Sequence, residues 1–437
     1  MTELRISIKN TSGEGGTALT PFFAGFHDGS FDLYEGGEAA SAGLEALAED
    51  GNNAVVAGEL VEADADAQSI NVAGDRGPIA AGERASATVH VNGVSNGFLT
   101  LGSMILPSND AFIGTGEPLQ LFDAYGNFLG AQTVVFTGEN VLDAGTEYNT
   151  EQDAAFINQT APNTGLTEGG VVRAHEGFNG SVGNPDGILG NPDGVPGAQT
   201  ILGGTNAFGE TVDPTAADFT IPGAQIAEVH INTVVNRNGT DGRDFIFGRR
   251  DDDIVDAGAG NDFIVTRSGW DVIDAGAGND KVFAGSGDDE VSGGSGNDRI
   301  FGGNGDDQLS GDEGRDKIWG GSGDDQIAGG SGNDWIAGGR GDDVIAGGEG
   351  LDVLFGGNGD DTFLFSDGDG RDYIKDFDRR GDDAIALNVE GVSSFDDVLA
   401  AASEYRYGVS LDFGGGDSIF LRRADIDDLS ADDFIFA

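Results

Sequence analysis

Fourteen aspartates recur every nine residues from Asp244 to Asp361, and an apolar residue follows each of them two positions later, from Ile246 and Val255 to Leu354 and Phe363. A nine-residue unit with one apolar side chain buries almost nothing alone, so this stretch must gain its stability by stacking copies of itself. The unit reads G-G-x-G-x-D-x-U-x, with U apolar, and the run from Gly302 to Ser310 shows it complete. Glycine adopts the backbone angles that let a turn present its carbonyls, and aspartate adds a charged oxygen; together they suit a hard cation. The U side chain faces the other way, into a narrow core.

Fidelity to the pattern separates it from accidental low complexity. The glycine two residues before the aspartate is present in thirteen of the fourteen units, with Asp251 the exception, and U is apolar in all fourteen. Thr240, Arg249, Arg267 and Asp312 replace the preceding glycine, which marks the early units as poorer cation sites and Gly276 to Gly359 as the best. A disordered Gly/Asp-rich linker has no need of an apolar residue at every ninth place. Without a cation, however, crowded carboxylates lack a counter-charge, and disorder is expected because metal-binding energy is folding energy here.

Residues 240 to 365 resemble the RTX, or haemolysin-type, calcium-binding repeats of bacterial secreted proteins. The resemblance implies a parallel β-roll with two nonapeptides per coil, so that Asp289 and Asp307, or Asp298 and Asp316, share an edge. Fourteen units then give about seven coils, a roll roughly 34 Å long at the usual strand spacing. It also implies several calcium ions. The candidate ligands are Asp271, Asp280, Asp289, Asp298, Asp307, Asp316, Asp325, Asp334, Asp343, Asp352 and Asp361, with the turn glycines Gly285, Gly287, Gly294, Gly296, Gly303, Gly305, Gly321, Gly323, Gly330, Gly332, Gly339 and Gly341.

Against 22 basic residues stand 77 acidic ones, a formal charge of −55 that argues against nucleic acid as a partner and disfavours anionic membranes. Cysteine is absent, so stacked repeats and metal must supply the cross-linking that disulfides give other extracellular proteins. Met1 to Lys9 lacks the basic and apolar regions of a cleaved secretory signal, and no apolar run is long enough to span a bilayer. Weak calcium sites nevertheless fit a protein that works outside the cell, secreted or on the cell surface. Residues 366 to 437 lose the period. A helix is expected near Ser394 with Asp397 as capping partner, and Val409 to Phe413 and Ser418 to Leu421 alternate like paired strands. This tail resembles the segment after RTX repeats in type I secretion substrates, which implies C-terminal export by that machinery; it also suits a cap on the open end of the roll.

Residues 1 to 235 have ordinary mixed composition. Strand-like alternation at Leu4 to Ile8, Ala87 to Val91, Phe98 to Leu101, Val134 to Phe136 and Ile226 to Thr233, with a single clear helix signal at Ser41 to Ala48, predicts a β-sandwich. Four segments carry a second resemblance: Leu19 to Asp32, Ala40 to Asp50, Ser103 to Phe112 and Asp143 to Asn149 look like a spondin N-terminal domain. That likeness implies a C2-like sandwich used in matrix adhesion, with a calcium site from Asp110 and Asp143, and Asn109 and Glu147 beside them. His27 before Asp28, and His175 before Glu176, invite an enzyme reading, but no G-x-S-x-G elbow or H-E-x-x-H helix accompanies them. His90 and His230 lie in strand-like alternation and read as structural, and Gly177 to Gly204 as a long surface loop.

The chain is therefore expected to be all-β: a spondin/C2-like sandwich, a parallel β-roll and a small C-terminal cap. Its expected function is that of a non-enzymatic, exported calcium-binding protein whose sandwich engages a surface or matrix ligand, be it glycan, protein or lipid headgroup. A secreted hydrolase and a self-assembling surface structural protein are the alternatives.

Overall fold

The computed structural model describes residues 1–12, 16–36, 38–74, 77–106, 111–143, 172–174, 224–377 and 383–436. The chain divides into two compact units, Met1–Thr233 and Val234–Ala437.

In the first unit, period-two alternation builds two antiparallel sheets. Strand Thr2–Asn10 pairs with Arg84–Val91 on one side and with residues 227–233 on the other, and Gln132–Thr137 extends that sheet. The second sheet runs through Gln68–Val72, Phe22–His27, Phe98–Leu106 and Ala111–Gly114. Leu4, Ile6 and Ile8 of the first sheet meet Phe22, Phe26, Leu99 and Leu101 of the second in one buried cluster, which is the core of a sandwich.

Two helices cover the outer face of the second sheet. Ala42–Asp50 starts where the sequence places it: the Ser41 hydroxyl accepts the Leu44 N–H, and Gly51 ends the helix at φ 63°. The second, Asn53–Ala63, is an addition to the expected fold. Its Val55, Val56, Gly58 and Val61 weaken the helical signal, and tertiary packing overrides them. Val56 and Leu60 close against Leu44, Leu47, Phe23 and Phe112. Phe22–His27 is consequently buried on both faces.

The second unit is a solenoid of two facing parallel sheets. Neighbouring strands are offset by eighteen residues, Ile300 beside Ile318 in one sheet and Leu309 beside Ile327 in the other, so two nonapeptides make one coil. The U side chains form one continuous core from Ile246 to Phe363. Each buried aliphatic chain contributes about 1.5–3 kcal/mol. The turns need glycine for space as well as for angle. Gly303 sits at φ 133°, and a methyl there would collide with the Gly285 carbonyl oxygen. Arg267 and Asp312 stand in glycine positions at φ 83° and 68°. Asp312 offsets that strain by accepting hydrogen bonds from the Ser292 and Ser310 hydroxyls and from the Gly294 N–H.

Beyond Asp361 the nine-residue period ends but the stacking continues. Leu354 lies beside Ile374, Phe363 beside Ile385, Tyr373 beside Phe420 and Ile385 beside Phe434. The tail forms the helix Phe395–Ala401, whose cap Ser394 accepts the Asp397 N–H, and an antiparallel hairpin of Gly408–Gly414 with Asp417–Arg422, as the alternation anticipates. Phe434–Phe436 adds the last strand of one sheet.

The outer faces of the two sheets differ. Where strands Lys281–Ser286, Arg299–Asn304 and Lys317–Ser322 lie side by side, Phe283, Phe301 and Trp319 stack with centroids 4.7 and 4.4 Å apart and planes within 7°. Such cross-strand aromatic ladders stabilise a sheet.

Candidate metal centre

Each repeat aspartate stands at the end of a short strand with its side chain turned into the turn, and those from Asp262 to Asp361 are buried to within 2% exposure. The backbone N–H of one aspartate donates to Oδ1 of the aspartate eighteen residues later: Asp289 to Asp307 at 2.8 Å, Asp307 to Asp325 at 2.9 Å, and on the other edge Asp298 to Asp316 at 2.8 Å. The pairs that share an edge are thus in adjacent coils.

The other carboxylate oxygen is what gives the ladder its chemistry. Oδ2 of Asp271, Asp280, Asp289, Asp298, Asp316, Asp325, Asp334, Asp343 and Asp352 is buried without a hydrogen-bond partner. A buried unpaired carboxylate oxygen is costly, and one in nearly every repeat points to a ligand. Desolvation is the dominant cause that pushes these carboxyls up, Asp280, Asp298, Asp352 and Asp361 to about 6 and Asp271, Asp316, Asp325 and Asp343 to about 7. Asp289 is pushed well above its ordinary value by burial and by the neighbouring Asp271, and Asp334 is raised mainly by burial.

From Asp298 onward the first glycine of the repeat lies beside Oδ2, whereas Thr266, Ala275 and Ala284 take that place before Asp271, Asp280 and Asp289. A methyl on Gly311 would sit 2.6 Å from Asp316 Oδ2 and 2.6 Å from the Gly329 carbonyl oxygen, and Gly293 is placed likewise between Asp298 Oδ2 and the Gly311 carbonyl, both at 2.9 Å. The missing side chain leaves an oxygen-faced cradle. Among the described residues no three acidic or histidine side chains gather around one point, so a cation here must draw most of its ligands from carbonyls. Calcium, with its six to eight oxygens, fits that donor set.

These first-position glycines, Gly293, Gly302, Gly311, Gly320, Gly329, Gly338, Gly347 and Gly356, are absent from the sequence-based ligand set. The glycines that set contains, such as Gly303 and Gly305, hold the left-handed turn conformations and pack on the carbonyls of the preceding coil. Two further aspartates join the ladder past the period. Asp352 donates its N–H to Asp372 Oδ1 at 3.3 Å, Asp361 donates to Asp383 Oδ1 at 3.1 Å, and Asp372 Oδ2 is another unpartnered oxygen. A signal for them was available: Asp372-Tyr373-Ile374 and Asp383-Ala384-Ile385 keep the D-x-U triad at a spacing stretched to eleven. At the other end Asp253 is engaged by the protein itself, with Oδ1 accepting from Arg237 Nε and Oδ2 from the Arg249 N–H.

The stacked coils, the period and the inward carboxylates decide the assignment of this region. Residues 238–374 are RTX calcium-binding nonapeptide repeats. The family described as RTX calcium-binding nonapeptide repeat (4 copies) matches at residues 238–264, 265–300, 301–336, 328–363 and 337–374. The family Spondin_N matches residues 15–164, so the chain joins a spondin domain to an RTX roll. No curated protein matches the chain. Among solved structures, the extracellular lipase LipA from Serratia marcescens is similar at 21% identity and a TM-score of 0.23, over 47% of this chain and 42% of the lipase. The chain thus spans less than half of that relative's length.

For the spondin domain, Asn109, Asp110 and Glu147 lie outside the described residues, as do His175, Glu176 and the segment Gly177 to Gly204. The backbone of Asp143 lies in strand Leu142–Asp143, paired with Ala111. His27 is fully buried between Phe31 and Phe98. Its Nδ1 accepts the Gly29 N–H at 3.1 Å, which leaves Nε2 to donate to Thr100 Oγ1 at 3.0 Å. Burial lowers its pKa, and with both nitrogens engaged it serves the fold.

Proposed function

We propose that this chain is an exported calcium-binding protein whose RTX roll folds on meeting calcium outside the cell and whose spondin domain engages a surface or matrix ligand. The observation that carries the reading is the run of buried aspartates, Asp298, Asp316, Asp325, Asp334, Asp343 and Asp352, whose Oδ2 atoms have no hydrogen-bond partner in the protein but face first-position glycines. Calcium there would supply the counter-charge that the buried carboxylates lack; Asp271 to Asp361 would hold it, with the first-position carbonyls beside them, glycine from Gly293 onward. Asp372 extends the set, whereas Asp253 has Arg237 in place of a metal.

The tail supports the export half of the reading in a specific way. Its last strand, Phe434–Phe436, is paired within the folded roll, so an export signal read from this segment would be an open chain before calcium folds the roll and held in a strand afterwards. Adhesion is favoured over catalysis because His27, which precedes Asp28 and invites the enzyme reading, is fully buried. The test is far-UV circular dichroism of the full chain during a calcium titration from chelator, followed by binding to immobilised matrix polysaccharides and proteins with and without calcium. A cooperative gain of β signal between micromolar and millimolar calcium supports the folding switch. A β signal already complete in excess chelator would refute it.

A further inference from the structure

The roll has one face whose charge runs against the rest of the molecule. In the sheet that includes Lys281–Ser286, Arg299–Asn304 and Lys317–Ser322, the buried residues Val282, Ile300 and Ile318 alternate with outward ones, so Lys281, Arg299 and Lys317 form one row and Phe283, Phe301 and Trp319 a second row beside it. On the eight strands from Phe245–Phe247 to Arg371–Ile374 no acidic residue stands at an outward position, in a chain with 77 of them. The opposite sheet shows the reverse between Val272 and Leu364: Asp274 and Glu290 point outward, and no lysine or arginine does. An aromatic ladder alone needs no such exclusion of carboxylates.

We infer that this face is a binding strip for a linear acidic polysaccharide. The cations recur at the strand spacing of roughly 4.8 Å along a straight line, which matches a partner with negative charges repeated along its length. Such a chain gains affinity from many weak contacts in register, and charge complementarity selects it. A planar anionic membrane fits less well, because it would bring the flanking turns, with their rows of aspartates, as close as the strip itself. A single-stranded nucleic acid needs open ring faces on which to stack its bases. Here Phe283, Phe301 and Trp319 cover one another's faces at 4.7 and 4.4 Å, and Lys281 Nζ lies 4.8 Å from the Phe283 centroid. What remains exposed is an apolar strip of ring edges beside a row of cations, suited to the C–H and carboxylate or sulfate groups of an acidic sugar chain.

The experiment is isothermal titration of the full chain in millimolar calcium with chondroitin sulfate oligosaccharides, dextran, polyadenylate and phosphatidylserine vesicles. The comparison is with the triple variant Lys281→Gln/Arg299→Gln/Lys317→Gln, whose calcium-dependent circular dichroism reports whether the roll still forms. A second variant, Gln308→Glu/Gln326→Glu, alters the opposite face as a control. Chondroitin sulfate should bind, weaken as sodium chloride rises, and lose about tenfold in affinity in the folded triple variant but not in the control. Equal binding by wild type and the folded triple variant would place the glycan elsewhere, for instance on the roll's calcium, and overturn the inference. So would dextran, polyadenylate or vesicles binding as tightly as chondroitin sulfate. Should the triple variant fail to fold, the single changes Lys281→Gln and Lys317→Gln carry the same comparison.

Discussion

A carboxylate with one oxygen satisfied and the other exposed to nothing but a glycine Cα is a residue whose purpose lies with a ligand. Asp325 shows this plainly: Oδ1 accepts the Asp307 N–H at 2.9 Å, Oδ2 has no partner, and burial pushes the carboxyl to about 7. Asp325→Asn keeps the shape and the Oδ1 acceptor but turns an amide toward the cradle. The expected outcome is a higher calcium midpoint and fewer bound ions by titration calorimetry, with no loss of stability in chelator at neutral pH. Gly320→Ala tests the cradle from the other side. Its methyl would crowd Asp325 Oδ2 and stand 2.7 Å from the Gly338 carbonyl, so a cost of about 1–3 kcal/mol is expected from overpacking, read as a lower Tm in calcium. The aspartates were legible in the sequence because their period is strict. The role of the first-position glycines was not, because a pattern of letters does not say which of two adjacent glycines turns the chain and which makes room.

At the scale of the elements, the two edges of the roll are built from the same repeat but carry different charge. On one edge the residue before the ladder aspartate is itself acidic from Asp288 onward, and Asp288, Asp306, Asp324, Asp342 and Asp360 are linked by N–H to Oδ1 bonds of 2.8–2.9 Å. On the other edge Asn261, Asn279 and Asn297 are linked in the same way, ending at Arg315. Calcium affinity rises with the charge of the liganding turn. Terbium luminescence or calorimetry on the full chain should therefore resolve two classes of site, the Asp-Asp edge filling first, and Asp306→Asn/Asp324→Asn/Asp342→Asn should merge them; a single class in the wild type would reject the distinction. Strands were similarly legible wherever alternation or period was clean, as at Leu4 to Ile8 and Ala87 to Val91, although their pairing with each other was not. The signal was obscured where packing decides, as in helix Asn53–Ala63, and where an insertion stretches the repeat, as before Asp372 and Asp383.

For the whole molecule, calcium and protons compete for one set of buried oxygens. In the folded roll the carboxyls of Asp271, Asp316, Asp325 and Asp343 lie near 7 and those of Asp280, Asp298 and Asp361 near 6, above the ordinary carboxylate value of 3.8. A raised folded-state pKa means that the folded chain holds protons which the unfolded chain releases, so the stability these groups contribute is fully present below about pH 4 and is lost as pH rises through 6 to 7. The formal charge of −55 at pH 7 acts in the same direction through self-repulsion. Calcium-free protein should therefore show its greatest β content and highest Tm in mildly acidic buffer and lose the roll as pH passes 6 to 7. Millimolar calcium should restore it at pH 7 and above, with apparent affinity rising with pH, because each ion must displace the protons that hold the carboxyls neutral. Circular dichroism against pH, with and without calcium, measures both halves. A calcium-free roll more stable at pH 8 than at pH 5 would show that the buried aspartates are ionised and satisfied by the protein alone, and calcium would then lose its place as their counter-charge.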